Sequence, residues 1–156
     1  MSKSNRFEKV VNIRNKKANF EFEFMDTYVA GLVLKGTEIK SIREGAAGLV
    51  DAYCLIVSGE LWVKHLHIAP WRLGTHANHV ETRDRKLLLK KNELKKIDRA
   101  LKDKGITVVP LLLHLSEKGL AKLDIALARG KKLHDKRTSL KEKDADRETQ
   151  RAQTES

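Results

Sequence analysis

Leu49-Val50-Asp51-Ala52-Tyr53-Cys54-Leu55-Ile56-Val57-Ser58-Gly59-Glu60-Leu61-Trp62-Val63-Lys64-His65-Leu66-His67-Ile68 is the segment that decides the fold class. Two β-rich runs, Leu49 to Val57 and Leu61 to Ile68, flank a Ser-Gly-Glu turn. That pattern predicts an antiparallel hairpin. Ala69-Pro70 ends the second run, and Trp71 to Thr82 reads as a loop. Working outward toward the start, Phe20, Phe22 and Phe24 alternate with Glu21 and Glu23. Period two with one apolar face predicts a half-buried strand. Val29 to Leu34 is a further apolar run in which Gly31 marks a bulge or tight bend. Toward the end, Ile106 to Leu115 is a strand with Pro110 at an edge or bulge. Ala121, Leu123, Ile125 and Leu127 alternate with Lys122 and Asp124 in a last strand.

Two helices interrupt this series. Ile39 and Ile42 share a face in Lys35-Gly36-Thr37-Glu38-Ile39-Lys40-Ser41-Ile42-Arg43, and Gly45 stops that helix. Leu94, Ile97 and Leu101 form the buried stripe of the second, capped by Asn92 and closed by Gly105. The sum is a mainly β chain of about six strands with inserted helices, and short connections favour an antiparallel sheet that curls on itself. An OB-like antiparallel barrel suits it.

At 156 residues the chain holds one domain with appendages. A flexible basic arm is expected over residues 1–14, the barrel over 15–129 and a charged tail over 130–156. Cys54 is the single cysteine, which excludes an internal disulfide framework and fits a reducing compartment. In an apolar run it reads as packing. The net charge of +11 asks for an anionic partner, nucleic acid first. Met1-Ser2-Lys3-Ser4-Asn5 leads into no apolar signal region, and no apolar run has the length of a membrane span. A soluble cytoplasmic protein with no membrane partner is expected, and a monomer.

Basic residues gather in three places: Arg14 to Lys17, Arg83 to Lys91 and Arg129 to Arg137. A barrel is expected to bring the first two together as one phosphate-binding face. Trp71, at a loop edge, is the better stacking platform, and Trp62 reads as core. His65 and His67, two apart on a strand, share a face, with His76 and His79 in the following loop. Their spacing matches no zinc motif, so no metal site and no cofactor is assigned. No nucleophile elbow, P-loop or dinucleotide fingerprint is present, so no catalytic residue is assigned and no enzyme is expected. A general single-strand-binding OB module and a metal-dependent nuclease on the four histidines remain as rivals.

Lys35-Gly36-Thr37-Glu38-Ile39-Lys40-Ser41-Ile42-Arg43 resembles the KGTE(V/I)KS(L/I)R signature of the SsrA-binding protein (SmpB) family. Asp51-Ala52-Tyr53, Gly59-Glu60, His67-Ile68-Ala69-Pro70, Arg85-Lys86-Leu87-Leu88-Leu89, and Gly130-Lys131-Lys132 with Asp135-Lys136-Arg137 follow in family order. The resemblance implies an OB-like barrel and an RNA-binding role in ribosome rescue. Members bind the tRNA-like domain of transfer-messenger RNA (tmRNA) and deliver it to stalled ribosomes for trans-translation. The barrel replaces the anticodon arm, and the tail enters the decoding centre and the empty mRNA channel. Implied partners are tmRNA, the ribosome, and elongation factor Tu with the aminoacylated tmRNA.

Carried onto this chain, the resemblance implies that tmRNA is bound by Asn15, Lys16, Lys17, Lys35, Thr37, Glu38, Lys40, Arg43, Arg85, Lys86 and Leu88. It implies that Gly130, Lys131, Lys132, His134, Asp135, Lys136 and Arg137 work in the decoding centre, with His134 stacking on a base. Two positions depart from the family. Val29 stands where many members carry an RNA-supporting Glu, and Lys90 where Asn or His is common. Beyond Leu140 only Ala145 and Ala152 are apolar, so the tail is expected to be disordered when free.

Overall fold

The computed structural model describes residues 11–74, 76 and 78–131. The strands are β1 (Asn12–Arg14), β2 (Phe22–Leu32), β3 (Ala47–Gly48), β4 (Tyr53–Val57), β5 (Glu60–Lys64), β6 (His67–Ile68), β7 (Arg85–Leu88), β8 (Ile106–Leu115) and β9 (Ala121–Gly130). The helices are α1 (Ala18–Glu21), α2 (Gly36–Arg43) and α3 (Lys91–Ala100). Six strands pair in the order β8-β4-β5-β7-β2-β9, and β9 pairs back to β8, which closes an antiparallel barrel. The short β1 adds to β8 outside the ring, and β3 with β6 makes a separate two-stranded sheet. The fold is the mainly β, OB-like barrel that the sequence predicts.

The interior follows from period two. Leu61 and Val63 of β5, Leu113 of β8 and Leu123 and Ile125 of β9 are buried, with Ile42 of α2 and Ile97 of α3 in the same cluster. Burial pushes the Cys54 thiol pKa up, so this residue packs and does not react at neutral pH. Turn chemistry sets the connections. Ser58 and Gly59 both have positive φ, 52° and 77°, the geometry that matches a two-residue hairpin to the twist of its strands. Gly45, at φ 77°, ends α2: its N–H donates to Ile42 O at 2.8 Å and the Ala46 N–H to Ser41 O at 2.9 Å. That paired closure is why the helix stops where the sequence says it does.

The structure corrects several local expectations. Phe20 lies in α1, and the strand begins at Phe22. Ala18 anchors this turn in a small second cluster with Val109 and Ala128, on which Phe22 and Leu111 pack. The alternation of phenylalanines therefore serves two surfaces and not one strand face. The runs around Phe24 and Val29 are a single strand, and its bulge is at Met25-Asp26, where the register with β9 shifts, not at Gly31. Arg85–Leu88 is a strand that charge had masked.

The first hairpin strand starts at Tyr53, and the second breaks at His65, whose φ of 60° reverses the backbone. His65 stacks on Tyr53 with ring centroids 5.4 Å apart, while His67 joins β6. The two histidines thus sit on separate strands and share no face. Lys90, not Asn92, caps α3, because the Glu93 carboxylate accepts the Lys90 N–H at 3.1 Å. The Pro110 expectation holds as a bulge, with the register shifting between Pro110 and Leu112.

Candidate nucleic-acid interface

Glu38 is the hub of the family-like helix, and it is fully buried. Its carboxylate accepts the Lys35 N–H at 2.7 Å, Arg83 at 2.6 and 3.3 Å, and Arg85 at 2.5 Å. Burial by itself would raise the Glu38 pKa. The hydrogen bonds from Arg83, the Lys35 backbone and Arg85, with the Arg85 charge, outweigh it and hold the carboxyl below its usual range. Arg85 is also fully buried and donates to Leu66 O at 2.5 Å and Glu81 O at 3.1 Å. Burial lowers the Arg85 pKa and Glu38 opposes that shift. Glu38 and Arg85 therefore have no surface to offer a macromolecule. They fasten α2 to β7 and to the loop before it.

Thr37 also points inward in effect. Its hydroxyl meets His79 Nδ1 at 2.8 Å, and His79 Nε2 bonds Ile68 O at 2.8 Å. A ring nitrogen facing a carbonyl oxygen must carry the proton, so Nδ1 accepts from Thr37. Lys35 and Lys40 are exposed and Arg43 is half-buried. The Lys40 Nζ lies 4.2 Å from the Trp71 ring centroid, and Asn78 bonds both the Trp71 N–H and its carbonyl, at 2.9 and 2.8 Å. This cation–π pair and clamp set Trp71 on the α2 surface. Trp62 alternates with the buried Leu61 and Val63, so it faces outward, half-buried opposite Lys86, and is not core.

At the end of β2, Gly31 pairs with Leu88 on one side and Lys122 on the other. Leu88 is 52% exposed and Val29 56% exposed, an apolar pair on the barrel wall. Lys86 pairs with Glu60. Lys122 was not singled out from the sequence, because alternation alone marks it as any outward residue.

At the start of β2 a second group gathers. Asn15 donates from its N–H to Leu111 O and from Nδ2 to Pro110 O, both at 2.9 Å. Lys16 and Lys17 follow it, exposed. Gly130 pairs with Phe22, and the Lys131 N–H donates to Glu21 O at 2.9 Å. The structure therefore joins Arg14–Lys17 to Gly130 and Lys131, and not to Arg83–Lys91. Strand β2 runs from one group to the other, roughly 30 Å at ~3.3 Å per residue. The expected single face for the first two basic segments is corrected on that ground. Lys132, His134, Asp135, Lys136 and Arg137 lie outside the described residues. Among the described residues no group of three or more His, Cys, Asp or Glu side chains is placed to hold a metal ion. His67 bonds Glu81 at 2.8 Å and His79 is spent on Thr37 and Ile68. No helix there is long and apolar enough to cross a membrane.

The model of the SmpB protein family matches residues 12–155. The chain belongs to the SmpB family. The SsrA-binding protein of Phocaeicola vulgatus is 60% identical over 141 residues, 90% of this chain and 94% of the relative. That of Bacteroides thetaiotaomicron is also 60% identical over 141 residues, with the same coverage of both chains. A more distant SsrA-binding protein, from a Nocardioides species, is 51% identical over 139 residues, 89% of this chain and 87% of the relative. Among solved structures, a chain from "tmRNA-SmpB: a journey to the center of the bacterial ribosome" superposes with a TM-score of 0.67. It is 41% identical, covering 79% of this chain and 86% of that one. Family membership accounts for the Glu38 hub in a new way: the letters that identify the family helix are largely those that fix its position.

Proposed function

We propose that this chain binds the tRNA-like domain of tmRNA and delivers it to stalled ribosomes for trans-translation. The barrel takes the place of the anticodon arm, and the segment from Gly130 onward reaches the decoding centre and the empty mRNA channel. The observation that carries this reading is the family match over residues 12–155, with proteins named SsrA-binding protein at 60% identity. Geometry supports it in a specific way. An RNA bridge between two large partners needs two contact regions, and exposed cations stand at both ends of β2. Lys35, Lys40, Lys86 and Leu88 serve one end. Asn15, Lys16 and Lys17 serve the other, where Gly130 and Lys131 begin the run that continues through Lys132, His134, Asp135, Lys136 and Arg137. Phosphate contacts give affinity, and the fit to a folded RNA gives selectivity. Thr37, Glu38 and Arg85 act as positioning residues beneath that surface. No chemical step belongs to this role.

Competition at physiological salt tests it. Full-length protein is bound to labelled tmRNA and challenged with an equal mass of unstructured RNA or of unlabelled tmRNA. Only tmRNA is expected to displace the label efficiently. Equal displacement refutes the reading in favour of a general single-strand binder. A chain ending at Lys131, which keeps all of β9, is expected to retain tmRNA binding and to lose ribosome rescue.

A further inference from the structure

A cleft of about 430 Å³ opens where β1 turns into α1, and no role above uses it as a pocket. Its volume is within the roughly 300–1,000 Å³ of sites for small ligands. Phe20 and Phe24 line it, two of the four phenylalanines in the chain, and Phe24 is 37% exposed. Spending two aromatics on a solvent-facing concavity is costly unless a ring stacks there. Arg14 and Lys16, both exposed, stand at the same cleft with Asn19, and no carboxylate is among the described residues that line it. Leu111, the residue of the β8 bulge, closes it from below. The cleft also borders Asn15, whose two N–H groups are committed to Leu111 and Pro110, while its Oδ1 is buried with no donor.

The geometry points to a nucleobase pocket: Phe20 and Phe24 take a single unstacked base of an RNA, and Arg14 and Lys16 hold its phosphates. Aromatic faces accept any base, and adjacent cations meet the backbone, which is the combination that single-stranded RNA requires. Two local features build the pocket. The α1 turn lifts Phe20 off the line of β2, and the Leu111 bulge leaves room beneath it. A straight strand from residue 20 would have sent both rings along one sheet face and left no cleft. The inference rests on the RNA-binding reading above and names a site within it. The base has two sources, tmRNA or the small-subunit ribosomal RNA, and the cleft's position beside Gly130 and Lys131 makes both reachable.

The test uses full-length protein carrying Phe20→Leu, Phe24→Leu or Arg14→Ala, each measured against tmRNA and, separately, against purified small ribosomal subunits. Leucine keeps apolar volume and removes the ring. With thermal unfolding midpoints unchanged, each leucine variant is expected to lose roughly tenfold in affinity for one of the two RNAs, the size of one lost base stack. A photoreactive phenylalanine analogue at position 24 is then expected to crosslink to a single nucleotide of that RNA. If both leucine variants bind both RNAs as the wild type does while Arg14→Ala weakens both, the cleft is a phosphate surface and the base pocket is refuted. The RNA-binding reading survives that outcome; it fails only if the wild-type protein does not prefer tmRNA. Should Phe20→Leu unfold the protein, Phe24→Leu decides alone, because its ring is already partly in water.

Discussion

Glu38→Gln should cost more stability than any change of one surface charge. The wild-type carboxylate accepts four hydrogen bonds, from the Lys35 N–H, from two Arg83 nitrogens and from Arg85. Glutamine presents one oxygen, and its amide NH₂ faces a guanidinium that also donates. Arg85, with none of its side chain exposed, is left as a buried cation without its counter-charge. Removing one partner of such a pair costs roughly 3–5 kcal/mol. For a domain of this size that lowers the melting temperature by roughly 10–20 °C. Urea and thermal denaturation followed by circular dichroism read it directly. Lys86→Gln, which breaks the exposed pair with Glu60, is the control and should cost less than about 1 kcal/mol. The double change Glu38→Met with Arg85→Met should be milder than Glu38→Gln alone, because both charges leave together. Arg83 is partly exposed and can turn to water. The reasoning is refuted if Glu38→Gln unfolds within about 0.5 kcal/mol of the wild type, or if the double variant loses the sum of its two singles.

Two further outcomes follow from the same structure. The Glu38 pKa is lower in the folded protein than in the unfolded chain, so its contribution is full above the unfolded value of about 4.3 and fades as pH falls through the folded value. The stability gap between wild type and Glu38→Gln should therefore be largest near neutral pH and shrink below about pH 4; a gap constant with pH contradicts it. Gly45→Ala puts a Cβ on a residue with φ 77° in open space, so strain and not collision is the cost. A loss of roughly 1–2 kcal/mol in urea denaturation is expected.

The hairpin at Ser58-Gly59, the stop of α2 at Gly45 and the bulge beside Pro110 were all legible, because each depends on chemistry confined to a few neighbouring residues. Strand β7 was not, since Arg85-Lys86 looks like a solvated basic run until the partner of Arg85 is known. That partner is Glu38, 47 residues away, and no local pattern encodes such a pair. The same limit applies to the interface. Lys35, Lys40, Lys86 and Leu88 could be read as surface, but Thr37, Glu38 and Arg85 are family letters whose burial only the fold reveals. The cleft at Phe20 and Phe24 was read as strand alternation, because α1 is four residues long and owes its existence to Ala18 packing on Val109 and Ala128.

Strand β9 is flanked by β2 and β8, and its pairing holds to its last turnings: Gly130 opposite Phe22, Arg129 opposite Ile106. This has a mechanical consequence. A pull on the chain beyond Lys131, directed along the strand, loads two hydrogen-bond ladders in shear, so many bonds must fail at once. A hairpin end peeled from one edge would open bond by bond. The barrel is thus built to resist traction at the point where a ribosome moving along its track would apply it.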